Sequence, residues 1–259
     1  MSTGRGPAGA KPRPSFPARL GPSDPQRTVP ATSAQRPRVP QASAGALAGD
    51  AARQAMVARL VAQGLSSAAV AEAMARTERH RFVDEGLAYQ AYEDTSLPIG
   101  LGQTISKPSV VARMLELLLQ GRSQPLGRVL EIGTGCAYQA AVLSALAREV
   151  YSMERLKALH DKAKHNLRFL RLPNVHLLLG DGTQGFAEGA PYAGIVAAAG
   201  GDDIPSAWLD QLDVGGRLVA PVRTAEQQQQ LVVIDKTPHG CVSQMHEAVW
   251  FVPLKSGVA

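Results

Sequence analysis

From about Ala46 onward, apolar positions recur in two rhythms, one helical and one strand-like, that take turns along the chain. Leu47, Ala51, Met56, Leu60 and Val61 fall near helical spacing, and Gly64 supplies a stop. Ser66 or Ser67 can cap a second helix through Arg76, its side-chain oxygen accepting from a free backbone N–H of the first turn. Met56 and Met74 read as core fillers of this pair. Residues 79–94 show no clear period, and Pro98-Ile99-Gly100-Leu101-Gly102 reads as a loop. A strongly apolar helix follows, with Val110, Val111, Met114, Leu115 and Leu118. Ser106, just ahead of Lys107-Pro108, stands where an N-cap would.

The next stretch changes period. Val129, Leu130 and Ile132 form a short apolar run with Glu131 inside it, the pattern of a strand buried on both faces. It ends in Gly133-Thr134-Gly135, where backbone without Cβ can turn sharply and lie against a ligand. A helical pattern from Tyr138 to about Ala147 follows, and then a second strand, 150–153, delivers Glu154 at its end. Further strands are expected at 175–179, 194–199 and 217–222, with a helix over 205–212. Residues 231–235 and 249–254 suit a C-terminal antiparallel pair at a sheet edge. Strand and helix alternating in this way predict an α/β doubly wound sheet, with a ligand crevice at the strand ends.

The glycine turn and Glu154, nineteen positions after Gly135, are the centre of that expectation. Tyr138 stands where a dinucleotide fold would carry its third glycine, which argues against a pyrophosphate on the helix N-terminus. The pattern is closer to that of S-adenosylmethionine enzymes, in which such a carboxylate accepts from the ribose hydroxyls. Read without function, the same residues make a tight turn and a surface Glu. Ser106 likewise has two readings, a helix cap or a hydroxyl that donates to a carboxylate.

Composition alters this picture at the N-terminus. Residues 1–45 hold nine of the eighteen prolines and almost no large apolar residues, so they are expected to be a disordered Pro/Arg-rich tail. The formal charge of +5 is concentrated there. Residues 1–49 carry seven basic residues and one acid, whereas the remainder carries twenty basic and twenty-one acidic. The ordered part is near neutral, and nucleic acid is not an expected partner. Cys136 and Cys241 are the only cysteines, too few for a disulfide framework or a CxxC metal site, and the six histidines show no zinc spacing. No apolar run reaches the length of a membrane span and no signal-peptide core is evident, so a cytoplasmic protein without a metal or membrane partner is expected.

Two segments together make a resemblance specific. RHRFVDEGLAYQAYEDTSLPIG and GQTIS, then VLEIGTGCAYQAAVL, VYSMER, GDG at 180–182, APY, QLDVGGRLVAPV and FVPL, resemble the protein-L-isoaspartate (D-aspartate) O-methyltransferases over roughly residues 50–254. The resemblance implies a Rossmann-like, seven-stranded, mostly parallel methyltransferase sheet over 46–259. An antiparallel C-terminal pair and a small N-terminal helical cap, 46–78, would complete it. It implies S-adenosyl-L-methionine as cofactor and methyl transfer to the free carboxylate of L-isoaspartyl or D-aspartyl residues in damaged proteins and peptides, the ester then closing to a succinimide. Ser106 would be the active-site hydroxyl. Gln103, Thr104, Ile105, Ser106, Gly133, Gly135, Glu154, Asp181 and Gly182 would bind the cofactor, Asp181 at the adenine amine. Leu97, Pro98, Ile99, Gly100 and Val222 would bind the peptide, and a monomer is expected. Leu101, Ala137 and Ala193 stand where relatives more often carry His, Gly and Asp. Two rival readings stay open: a methyltransferase for another carboxylate, and a cofactor-binding homologue without catalysis.

Overall fold

The computed structural model describes residue 1 and residues 44–259, so the tail expectation for 1–45 lies almost wholly outside the described residues. Its last two residues do not: they open α1, Ala44–Ala62, two residues earlier than the spacing predicts. Gly64, at φ 111°, turns the chain into α2, Ala68–Arg76, where the Ser67 hydroxyl accepts from the Val70 N–H at 3.4 Å. Met56, Leu60 and Met74 are buried as expected and Val70 joins them, whereas Val61, expected on the same helical face, is exposed. The connection is also held from outside. The Glu116 carboxylate accepts from the Ser66 and Ser67 N–H groups at 2.7 and 3.0 Å and from the Ser66 hydroxyl. Glu116 belongs to α3, Pro108–Leu119, so the helical pair is tied to the sheet layer by buried apolar contact and one carboxylate.

The stretch 98–102 is not a plain loop. β1, Leu97–Gly100, and β2, Gln103–Ile105, form an antiparallel hairpin whose tip, Gly100-Leu101-Gly102, has positive φ at all three residues. Glycine adopts that geometry freely and leucine does not, which is why the sequence there reads as irregular.

The main sheet contains β3, Leu126–Ile132; β4, Ala147–Glu154; β5, Val175–Leu179; β6, Tyr192–Ala197; β7, Leu212–Arg223; β8, Gln229–Thr237; and β9, Gly240–Val249. Their order is β5-β4-β3-β6-β7-β8-β9, parallel up to β7 and antiparallel thereafter. Successive residues of β3 serve opposite faces: Val129 packs in one buried cluster, while Leu130 and Ile132 pack in the other. Helices α3, α4 (Tyr138–Leu143), α5 (Lys157–Leu167) and α6 (Ser206–Gln211) accompany the strands, with short 3-10 turns at Arg79–Phe82, Glu85–Gln90, Gly182–Gln184 and Ala187–Gly189. The chain starts in the middle of the sheet, winds out through β4 to β5, and returns to place β6 on the other side of β3. The carboxyl ends of β3, β4 and β6 therefore flank the point where the winding reverses, where such sheets bind ligands.

Three expectations need correction. The helix from Tyr138 ends at Leu143, not near Ala147. The Leu146 N–H turns back to the Leu143 carbonyl at 2.8 Å, and Ala147 already begins β4. Residues 249–254 are not the second edge strand. That strand is β9, whose mostly exposed side chains give it no apolar alternation. Residues 252–254 instead run beside Gly200, with Gly200 N–H donating to the Val252 carbonyl at 2.9 Å and Leu254 N–H to the Gly200 carbonyl at 2.8 Å. Finally, β7 begins at Leu212, earlier than the predicted 217, because the chain passes through Gly215 at φ 86° without leaving the strand.

Candidate active site

At that switch point lies a cleft of about 490 Å³, within the range of small-ligand sites. Its floor is the turn after β3. Gly133 and Gly135 adopt φ 90° and 56°, and the Gly135 N–H donates to Glu154 Oε2 at 2.9 Å. Glu154 Oε1 accepts from the Leu156 N–H at 2.9 Å, so this buried carboxylate braces both strand ends. The turn and the acidic strand tip are thus in direct contact, as the central expectation requires. Ala137 closes the turn at φ 71°, a left-handed conformation that costs an alanine roughly 1–2 kcal/mol.

Beneath the turn, Thr134 and Ser152 share a hydrogen bond at 2.7 Å, and Ser152 donates to Glu131. Glu131 is fully buried, and desolvation pushes its carboxyl up to about 8. It therefore holds its proton near neutrality, and Glu154 is the carboxylate that lines the cleft. Burial also pushes the Cys136 thiol up to about 11, so it is no nucleophile at neutral pH. Tyr138, pushed to about 12 by the same cause, remains a phenol.

Gln103, Thr104, Ile105 and Ser106 form one wall, at the end of β2. Ser106 does not cap α3. The capping position is Lys107, without a side-chain bond, and the first turn is served by Asp94, which accepts from the Ser109 N–H at 2.9 Å and its hydroxyl at 2.8 Å. Of the two readings of Ser106, the cap is thereby removed.

Gly182 lines the opposite side; a Cβ there would approach Ile132 Cγ2 to 2.7 Å, so only glycine lets this turn close on β3. Asp181 is not among the lining residues. Its carboxylate accepts from the Thr183 N–H and hydroxyl at 2.9 and 2.7 Å and from the Gly257 N–H at 2.7 Å. Those bonds hold its carboxyl below the usual range, although burial opposes them. Among the expected peptide-binding residues, Ile99 lines the cleft, Leu97 is buried under the hairpin, and Pro98 and Gly100 are exposed. Val222 is not a lining residue; it sits in β7 opposite Gln230.

Residues the sequence reading did not single out complete the enclosure. Ala198 and Ala199 follow β6, Arg155 and Leu156 follow β4, and residues 252–255 line the cleft as well. The first two pairs could have been found from their place after parallel strands. The last shows in the sequence as the FVPL motif and was expected as an edge strand; its place at the cleft comes from contacts with Gly200, Asp181 and Arg155: the Ala259 N–H donates to the Arg155 carbonyl at 2.9 Å and the Lys157 N–H to the Ala259 carbonyl at 2.8 Å.

The residues present fit a nucleoside-bearing cation: the Glu154 carboxylate, a glycine-turned backbone and apolar walls from Ile132, Met153 and Leu156. Among the described residues no group of three or more His, Cys, Asp or Glu could hold a metal ion.

Comparison with known proteins bears on this site. The family described as protein-L-isoaspartate(D-aspartate) O-methyltransferase matches residues 51–259. A protein-L-isoaspartate O-methyltransferase of Methylibium petroleiphilum is 54% identical, the match covering 96% of this chain and 98% of the relative. One of Ralstonia nicotianae is 55% identical over 86% of this chain and 74% of its own. A solved protein-L-isoaspartate O-methyltransferase superposes with a TM-score of 0.71 at 29% identity, over 80% of this chain and 67% of that one. A beta-aspartate methyltransferase from Plasmodium falciparum, in complex with S-adenosyl-L-homocysteine, shares the fold with a TM-score of 0.69 at 23% identity, over 78% of this chain and 98% of that one.

Proposed function

The chain belongs to the protein-L-isoaspartate(D-aspartate) O-methyltransferase family, and we propose from that premise that its cleft transfers a methyl group from S-adenosylmethionine to the free carboxylate of L-isoaspartyl and D-aspartyl residues. The observation that carries this reading is the meeting of Ser106, the Gly133–Gly135 turn and Glu154 around one enclosed space. When bound, the cofactor supplies a methyl carbon on a cationic sulfur.

The protein's own part is placement. Glu154 accepts from the ribose hydroxyls, and Gly133, Gly135 and Gly182 let backbone approach the ligand. Gln103, Thr104 and Ile105 form the wall behind it. Ser106 donates its hydroxyl to one oxygen of the incoming carboxylate and leaves the other oxygen free to react. No general base is needed, since a carboxylate with an ordinary pKa of about 4 is already ionised at neutral pH. In-line placement supplies most of the acceleration. The hairpin and residues 252–255 exclude water, which favours an event in which opposite charges neutralise each other. The peptide lies against the rim of the hairpin, at Ile99 and Gly100. Asp181 holds the Gly257 N–H on one oxygen and Thr183 on the other, and keeps acceptor capacity for a donor of the ligand.

A paired assay tests the reading: methyl transfer to an isoaspartyl peptide and to its aspartyl twin of the same sequence. Transfer to the first alone is expected. Equal transfer to both would assign the site to another carboxylate, and cofactor binding without transfer would make the chain a non-catalytic homologue.

A further inference from the structure

Arg79 is the buried charge that the reaction outlined above leaves unused. The side chain is 0% exposed, in the helical turn Arg79–Phe82. Taking a guanidinium out of water costs several kcal/mol unless an anion compensates it, and no described carboxylate lies within ion-pair distance of it. Desolvation accordingly lowers its pKa from the ordinary value. Its donors go to carbonyls instead. Nε donates to the Ala91 carbonyl at 2.7 Å, and Nη2 to the Ser106 carbonyl at 2.8 Å and the Thr95 carbonyl at 3.4 Å. The guanidinium carbon lies 4.8 Å from the centre of the Tyr138 ring, at the start of α4. Nη1 and the Tyr138 hydroxyl are buried without a hydrogen bond of good geometry, although the phenol is close enough to steady the charge.

These contacts have a common geometry. Ala91 and Thr95 lead into the β1–β2 hairpin, Ser106 leads out of it, and Tyr138 begins the helix that follows the glycine turn. One rigid fork therefore joins both limbs of the serine-bearing hairpin to the helix behind the cofactor turn. We infer that Arg79 is a positioning residue for methyl transfer: it fixes the Ser106 backbone relative to the Gly133–Gly135 turn, and sets where the Ser106 hydroxyl meets the substrate carboxylate. The inference rests on the role given to Ser106 above. A lysine offers no planar fork and cannot serve three carbonyls and a ring face together.

The test is a double-mutant cycle on the full-length chain with Arg79→Lys and Ser106→Ala. It follows kcat and KM for an isoaspartyl peptide, affinity for S-adenosylhomocysteine by calorimetry, and Tm. Arg79→Gln, which buries no unpaired charge, is carried in parallel so that a folded variant is available. Since misplacement by about 1 Å can lower turnover on the order of 100-fold, Arg79→Lys is expected to reduce kcat by about 10–100-fold, with S-adenosylhomocysteine affinity changed less than about threefold. In the Ser106→Ala background the same substitution should change kcat by less than about threefold, because residues acting as a unit are not additive. An equal fall in both backgrounds, or a cofactor affinity that falls as far as kcat, would overturn the inference while leaving Ser106 in place. Undiminished turnover in Ser106→Ala alone would remove the Ser106 reading itself.

Discussion

Glu131, near the end of β3, is shut away from water beside the strand end that carries Glu154. Glu131 has its folded pKa raised by burial to about 8, against about 4.5 when unfolded. The native state therefore holds a proton that the unfolded chain has lost between those values, and stability falls as pH rises through that window, levelling above about 8. The slope is about 1.4 kcal/mol per pH unit from this one group. Glu131→Gln keeps the shape and removes the titration, so urea unfolding from pH 5.5 to 8.5 should show the variant losing that slope; an unchanged slope would mean Glu131 is ionised in the native state. Glu154→Ala should weaken S-adenosylhomocysteine binding by about 1.5–3 kcal/mol, as for hydrogen bonds to a charged group, and unaltered affinity by calorimetry would contradict the ribose assignment. Glu154 was legible in the sequence because a strand tip and a glycine turn nineteen residues apart define each other. Arg79 was not, because residues 79–94 have no period and its partners are carbonyls, which any residue carries.

At the scale of elements, the parallel strands were legible wherever both faces are buried, since a continuous apolar run needs no further context. The hairpin and β9 were hidden for opposite reasons. The hairpin tip holds Leu101 at φ 53° between two glycines, so local preference says loop while pairing with β2 says strand. β9 is an edge strand whose pairing with β8, and not its side chains, makes it regular. The start of α3 shows how a local signature can mislead: serine before proline suggests a cap, yet Asp94, fifteen residues from Ser109, supplies it. Asp94→Ala should therefore lower stability by about 1 kcal/mol, the usual worth of a cap, whereas Ser106→Ala should leave Tm unchanged while depressing turnover. Thermal melts of the two variants separate these roles, and a Tm loss confined to Ser106→Ala would return the cap to Ser106.

For the molecule as a whole, the cleft is closed by a part of the chain far in sequence from its floor. Residues 252–259 cross from Gly200, after β6, to Asp181, after β5, and to Arg155 and Lys157, after β4, spanning the carboxyl edge of three strands. Residues 252–255 line the cleft together with the glycine turn, so a ligand held there leaves either past that crossing or through the hairpin side. Four hydrogen bonds anchor the far end: Gly257 N–H to Asp181, Arg155 Nε to the Gly257 carbonyl, Ala259 N–H to the Arg155 carbonyl, and Lys157 N–H to the Ala259 carbonyl. At about 0.5–1 kcal/mol each, their loss should raise the dissociation rate of S-adenosylhomocysteine on the order of 30–1,000-fold in a chain shortened after Lys255. If the crossing acts as a gate, the association rate should rise as well, so that Kd changes far less than either rate. Stopped-flow binding measures both. A dissociation rate that rises alone would make residues 256–259 a contact and not a gate, and rates unchanged in both directions would place the exit on the hairpin side, where Lys162 holds the Ile99 carbonyl at 3.0 Å and Asp84 at 2.9 Å.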